Sequence, residues 1–207
     1  MCKRVYVSYR WKEPVEGIAR NWLAPSIEAA GFRCVIDVKD CKYKSRIDKF
    51  EEEIGRADRV IMLLSDKFFY SDQCMYEAAL VTKAGNLETR LFPVNIGDYQ
   101  HNEEFYGDVL NYWEKEEQKA HRDLEIHSFG LEPFQDKYDR VKMIKEQIGK
   151  FWSHVTKENF MHFSAVSENN FKMITELFTG RIRVANLEPV TSNLLEAQAL
   201  LDENVLT

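Results

Sequence analysis

The stretch RVIMLLSDKFFYSDQCMYEAAL, residues 59–80, decides how this chain folds. Its opening run, RVIMLLS (59–65), is almost continuously apolar, the composition of a central parallel strand with both faces covered. The next segment, SDQCMYEAAL (71–80), begins with Ser71 and Asp72, residues that open helices, and reads as a helix to about Lys83. A helix that starts where a strand ends puts its first turns at the carboxyl edge of a sheet, where α/β folds collect their functional groups. Glu77, three residues after Cys74, is therefore either a solvated surface charge or a working acid at the mouth of a sheet.

Working outward, RVYVSY (4–9) is a short β-rich run. Val15, Ile18, Ala19, Trp22 and Leu23 then recur at helical spacing. Pro14 suits a first helical turn, Pro25 is expected to kink or end the helix, and Gly31 closes the unit. FRCVIDV (32–38) reads as a second strand running to Asp37. After the polar loop VKDCKYKSR, Ile47, Phe50 and Ile54 mark another helix. RLFPVNI (90–96) is a fourth strand, whose Pro93 cannot donate to a ladder and is expected near an edge or a strand end. Strand and helix thus alternate four times in about a hundred residues, the pattern of a flavodoxin-like open parallel sheet with helices on both faces. The carboxyl ends fall at SYRW (8–11), DVKD (37–40) and SDKFFYSDQCMYE (65–77).

Beyond residue 98 the pattern turns helical, a C-terminal elaboration. EEFYGDVLNYWEKEEQKAHRD is highly charged, and PFQDKYDRVKMIKEQIGKFWSHV aligns Phe134, Tyr138, Val141, Ile144, Ile148, Phe151, Trp152 and Val155 on one face. A fifth strand is read in NFMHFSAV (159–166), then a helix from Ser167 to Gly180. The division expected is one domain over 1–185, with core 4–97 and helix-rich elaboration 98–180. The segment 186–207 reads as an amphipathic tail: a docking helix, an oligomerisation helix or the start of a further domain.

Composition excludes several function classes. A 44% hydrophobic share supports a packed core, and a net charge of -6 disfavours nucleic-acid and membrane-surface binding. No apolar run approaches the ~20 residues of a membrane span, and the immediate first strand leaves no room for a signal peptide. Cys2, Cys34, Cys41 and Cys74 lack C-x-x-C spacing and read as free thiols; the five histidines are scattered, so no metal site is expected. The expectation is a soluble, cytoplasmic protein.

Three boxes in order resemble the TIR domain family: VYVSYRW, GFRCVIDVKD, and IGRADRVIMLLSDKFFYSDQCMYEAA, the last close to the family's (Y/F)-x-x-S-x-x-C-x-x-E. The resemblance covers residues 4–97, extending to Gly180 if the helical stretch elaborates the same domain. In the NAD-cleaving members the C-x-x-E glutamate is catalytic, which here is Glu77. The resemblance implies that Glu77 contacts the ribose beside nicotinamide and stabilises positive charge as the glycosidic bond breaks, as carboxylates do in glycoside hydrolysis. It implies a prokaryotic-type antiviral enzyme with NAD+ as substrate and no cofactor. The product would be ADP-ribose, or a cyclised or conjugated ADP-ribose signal read by a downstream effector. Self-association through TIR–TIR contacts is also implied.

Around Glu77, Arg10 is either a diphosphate ligand or a surface charge, and Tyr9 and Trp11 offer faces for stacking on a base. Ser8 most simply satisfies a turn. Asp37 either caps a turn or meets substrate, and Lys39, in the loop resembling the family's BB loop, is a solvated charge or an attractor of phosphates. Cys74 is a small packing residue beside the site or a thiol activated by the helix N-terminus. Two departures from the family pattern favour a non-catalytic TIR scaffold or virulence protein as the alternative: Gln73 stands where a Trp is common, and VKDCKYKSR has no glycine. A response-regulator-like domain is disfavoured, because SYR replaces the acidic pair expected after the first strand.

Overall fold

β3 (Val60–Leu64) is buried at all five residues, as its unbroken apolar run requires. The computed structural model that contains it describes residues 3–12, 14–36, 44–97, 102–156 and 161–162, together with Ser167, Ile174, Glu176 and Phe178. β3 pairs in parallel with β1 (Arg4–Tyr9) on one side and β4 (Leu91–Asn95) on the other. β2 (Arg33–Ile36) joins beyond β1, and the expected fifth strand is present as the short β5 (Met161–His162) beyond β4. The order β2-β1-β3-β4-β5 is that of a flavodoxin-like open sheet. The chain runs from β1 out to β2 and returns across to β3, so the direction of winding reverses between β1 and β3.

Strand alternation divides the interior in two. Tyr6, Val60, Met62 and Leu64 face a core closed by α3 (Lys44–Gly55) and α4 (Asp72–Ala84). Val5, Val7, Tyr9, Ile61 and Leu63 face the other, closed by the first helical segment together with Ile174 and Phe178. That segment runs without a break through α1 (Val15–Gly17), a π-helical stretch (Ile18–Leu23) and α2 (Ala24–Ala29). Pro25 therefore does not end the helix. The wider turns ahead of it accommodate a residue with no N–H to donate, and the rod continues until Gly31 turns it off at φ 85°.

Pro93 lies in the middle of β4, opposite Met62, rather than at the strand's end. Among the described residues β5 pairs only with Val94 and Asn95, so the flank of β4 before Val94 asks for no donor.

α3 and α4 approach closely. A Cβ on Gly55 would sit 3.3 Å from Leu80 Cβ, so the bare glycine sets the spacing. Their C-terminal carbonyls are gathered by one side chain, Arg90, at the end of the short α5 (Leu87–Arg90). Its guanidinium donates to Gly55 O at 2.7 Å, Ala57 O at 2.7 Å and Gly85 O at 2.9 Å. These are groups a helix end otherwise leaves without a partner.

The helical elaboration is a hairpin placed within the β4–β5 crossover, formed by α6 (Glu103–Ile126) and α7 (Glu132–Thr156). Val141, Ile144, Ile148, Phe151 and Val155 of α7 are buried in the α3/α4 core, as their spacing predicts. α6 is fastened by Trp113, fully buried, whose Nε1–H donates to Phe69 O at 2.9 Å. Replacing that indole removes both the largest side chain in this core and a donor to a buried carbonyl. Trp113→Ala should cost about 3–5 kcal/mol, read as a lowered urea midpoint at constant slope. A loss below about 1 kcal/mol would mean that the hairpin is not part of the cooperative core.

Candidate functional site

The reversal between β1 and β3 creates the crevice in which open α/β sheets bind ligands, outside the carboxyl ends of those strands. β1 ends at Tyr9 and is followed by Arg10; β3 ends at Leu64 and leads through a 3-10 turn (Asp66–Tyr70) into α4. The two strand ends are joined across the crevice: Arg10 Nη1 donates to Ser71 Oγ at 2.9 Å. Ser71, 2% exposed, is the N-cap of α4, its Oγ accepting from the Cys74 amide at 3.5 Å. Arg10 is thus half of a bridge between strand ends rather than a loose surface charge.

Ser8 is 1% exposed and pairs in register with Met62, which puts it on the α3/α4 side of β1. Among the described residues its Oγ finds no hydrogen-bond partner, so the expected turn-satisfying role is not seen there. Cys74 is buried in the α3/α4 core with its thiol outside any disulfide, in keeping with the packing role of its two readings. Cys34 is also free, and burial, with a smaller push from Glu28, raises its thiol to about 12, far from activation.

Glu77 sits in the second turn of α4, 2% exposed. It is not a solvated charge. Its Oε1 accepts from Gln73 Nε2 at 2.8 Å, and the same nitrogen donates to Glu51 Oε1 of α3 at 3.0 Å. Glu51, itself 5% exposed, pairs through its other oxygen with Arg140 Nη2 of α7 at 2.6 Å. The Arg140 guanidinium lies over the Tyr76 ring, 4.2 Å from its centroid. Lys137, a turn earlier on α7, pairs with Asp72 at the start of α4.

The stacking faces are elsewhere. Tyr9 is 4% exposed within the core on the opposite side of the sheet, and Trp11 packs against that same core. Neither stands with Glu77, and the buried Tyr9 ring has no open face for a base. The reason is alternation: Tyr9 and Ser8, adjacent on β1, point to opposite sides. Asp37 and Lys39, with the loop that carries them, lie outside the described residues. Among the described residues no group of three His, Cys, Asp or Glu stands close enough to hold a metal ion. None of their helices is long and apolar enough to cross a membrane. An open groove of about 690 Å³ between the α5 turn and Lys150, Ser153 and His154 contains none of these site residues.

Sequence reading missed Glu51, Arg140 and the bridging role of Gln73. The spacing of Gln73 and Glu77, one helical turn, was the legible signal; the other two come from distant helices. The cap at Ser71 supports the whole α4 end of the site. Ser71→Ala should lower stability by about 1 kcal/mol in a denaturation curve. An unchanged midpoint would show that Arg10 and the α4 N-terminus are held by other contacts.

A family model described as TIR domain matches residues 5–126. Among curated proteins none matches. Among solved structures, the TIR domains of the activated Roq1 resistosome, which directly recognizes the pathogen effector XopQ, resemble this chain with a TM-score of 0.55 and 16% identity, covering 87% of this chain and 99% of that one. At such identity the likeness is one of fold. The family match spans more than half of the 207 residues and includes both strand ends and Glu77, so this chain belongs to the TIR domain family.

Proposed function

We propose that this TIR domain cleaves NAD+ at the bond between nicotinamide and ribose, with Glu77 as the catalytic residue. The observation that carries the reading is a carboxylate in the C-x-x-E position of α4, the helix whose N-cap Ser71 is bonded to Arg10 at the end of β1, withdrawn from water and held by a directed hydrogen bond. As the glycosidic bond breaks, its electron pair goes to the pyridinium nitrogen and nicotinamide leaves neutral. The positive charge passes to the ribosyl carbon and ring oxygen. A carboxylate at low local dielectric stabilises that charge more strongly than one in water. A water adding its oxygen to the ribosyl carbon and releasing a proton gives ADP-ribose. Capture by an internal or added nucleophile gives the cyclised or conjugated product. No general acid is required for a neutral leaving group.

At 2% exposure Glu77 meets a ribose only after the side chains over it part, so turnover is coupled to an opening. Self-association is the natural trigger in an assembly-forming family, and the proposed setting is antiviral immunity in the cytoplasm, with a downstream effector reading the product. Arg10 and Ser8 line the strand end nearest the crevice and are the proposed contacts to the polar part of the dinucleotide. The same burial favours a second reading, a scaffold acting through TIR–TIR contacts, in which Glu77 is a structural acid.

Incubating the purified protein with NAD+, dilute and concentrated, and weighing the nucleotide product separates these. The expected result is nicotinamide release that falls by about a hundredfold or more in Glu77→Gln, with folding retained. A folded Glu77→Gln protein as active as the wild type would overturn the assignment, and intact NAD+ under both conditions would favour the scaffold.

A further inference from the structure

The mechanism above uses Glu77 but not the residue one turn before it. Gln73 Nε2 donates to Glu77 Oε1 at 2.8 Å and to Glu51 Oε1 at 3.0 Å. Both carboxylates are buried. Two such groups with no donor between them repel, and exclusion of water magnifies the repulsion. An amide NH2 carries two hydrogens, so one nitrogen serves both oxygens without sharing a proton. The far oxygen of Glu51 is matched by Arg140, giving the order guanidinium, carboxylate, amide, carboxylate across α7, α3 and α4.

We propose that Gln73 is a positioning residue for Glu77, anchored for that purpose by Glu51 and Arg140. The inference rests on the reading of Glu77 as the catalytic group. A Gln–Glu contact one turn apart on an isolated helix is worth only a few tenths of a kcal/mol, roughly 0.2–0.5. Here the second hydrogen is tied to a carboxylate that an arginine already holds, so the amide cannot swing to water and the first hydrogen stays on Glu77. The result is one orientation of the Glu77 carboxylate, the preorganisation that stabilising a developing cation demands. The Trp common at this position in the family has one N–H and serves one acceptor. The amide serves two, and in doing so links the carboxylate of Glu77 to α7, an element from outside the sheet.

The test is steady-state kinetics of the whole chain on NAD+, with Glu77→Gln run alongside. Gln73→Met keeps the length and helix preference of the side chain and removes both donors. It should lower kcat by about tenfold or more while KM moves less than about threefold, since the contact acts on the group that meets the transition state. Glu51→Leu, which removes the anchor, should lose kcat in the same way, and Glu51→Gln, which keeps an acceptor oxygen, should recover at least about threefold of that loss. Wild-type kcat in Gln73→Met, or equal losses in the two Glu51 variants, overturns the proposal while leaving the role of Glu77 intact. A wild type that leaves NAD+ uncut, or a Glu77→Gln variant of full activity, is instead a failure of the catalytic reading. In that event the bridge is judged by 15N-edited NMR of the Gln73 side-chain amide. Its protons are expected to exchange slowly and to shift in both Glu77→Gln and Glu51→Gln. Coincidence with the solvent-facing amides of Gln118 and Gln135 overturns it.

Discussion

Glu51 and Glu77 are two carboxylates buried side by side, and the arrangement around them is the answer to that constraint. Removing even one carboxylate from water costs several kcal/mol unless hydrogen bonds and opposite charge replace what water supplied. α4 supplies the amide from Gln73, α3 supplies the second acid, and α7 supplies a cation, Arg140. The hairpin inserted between β4 and β5 is consequently part of the electrostatics of the α4 site as well as a cover for its apolar face. A TIR sheet lacking that hairpin would leave Glu51 with no counter-charge from this side.

The same constraint explains the close seating of α3 on α4. The amide spans both carboxylates only if the helices approach closely, and the bare Gly55 against Leu80 permits that approach. The two observations belong to one design: a glycine where the backbones meet, and a bridging glutamine nearer the sheet's carboxyl edge. Lys137 on Asp72 then fastens α7 to the opening turn of α4, and Arg140 on Glu51 fastens it to α3.

The sheet was legible because each strand is a contiguous run whose period and burial are local properties. β3 declared itself by five buried residues in a row, and α7 by an apolar stripe kept over many turns. Of the two expectations at Pro25, ending the helix failed because sequence records the missing donor and not the π-turns that absorb it. The place of the hairpin inside a crossover was hidden because β5 is two residues long and says little alone. At the site, Glu77 was singled out by the resemblance of its C-x-x-E box to the family's, whereas Arg140 lies 89 positions from Glu51 and no local pattern joins them. Tyr9 and Trp11 were placed by their neighbours in sequence and separated by the alternation of a strand.

Arg90 gives the region its mechanics. One guanidinium holds three carbonyls at the C-terminal ends of α3 and α4, at the edge of the sheet opposite Glu77. The two rods are clasped at one end by this guanidinium and linked further along by the Gln73 amide. Glu51 stands one helical turn before the clasped Gly55, whereas Gln73 stands in the opening turn of α4, far from the clasped Gly85, so the bridge runs from the anchored end of one rod to the free end of the other. The clasp thereby steadies the acid that anchors the amide, and leaves the orientation of the Glu77 carboxylate to the side chain at the far end of the bridge.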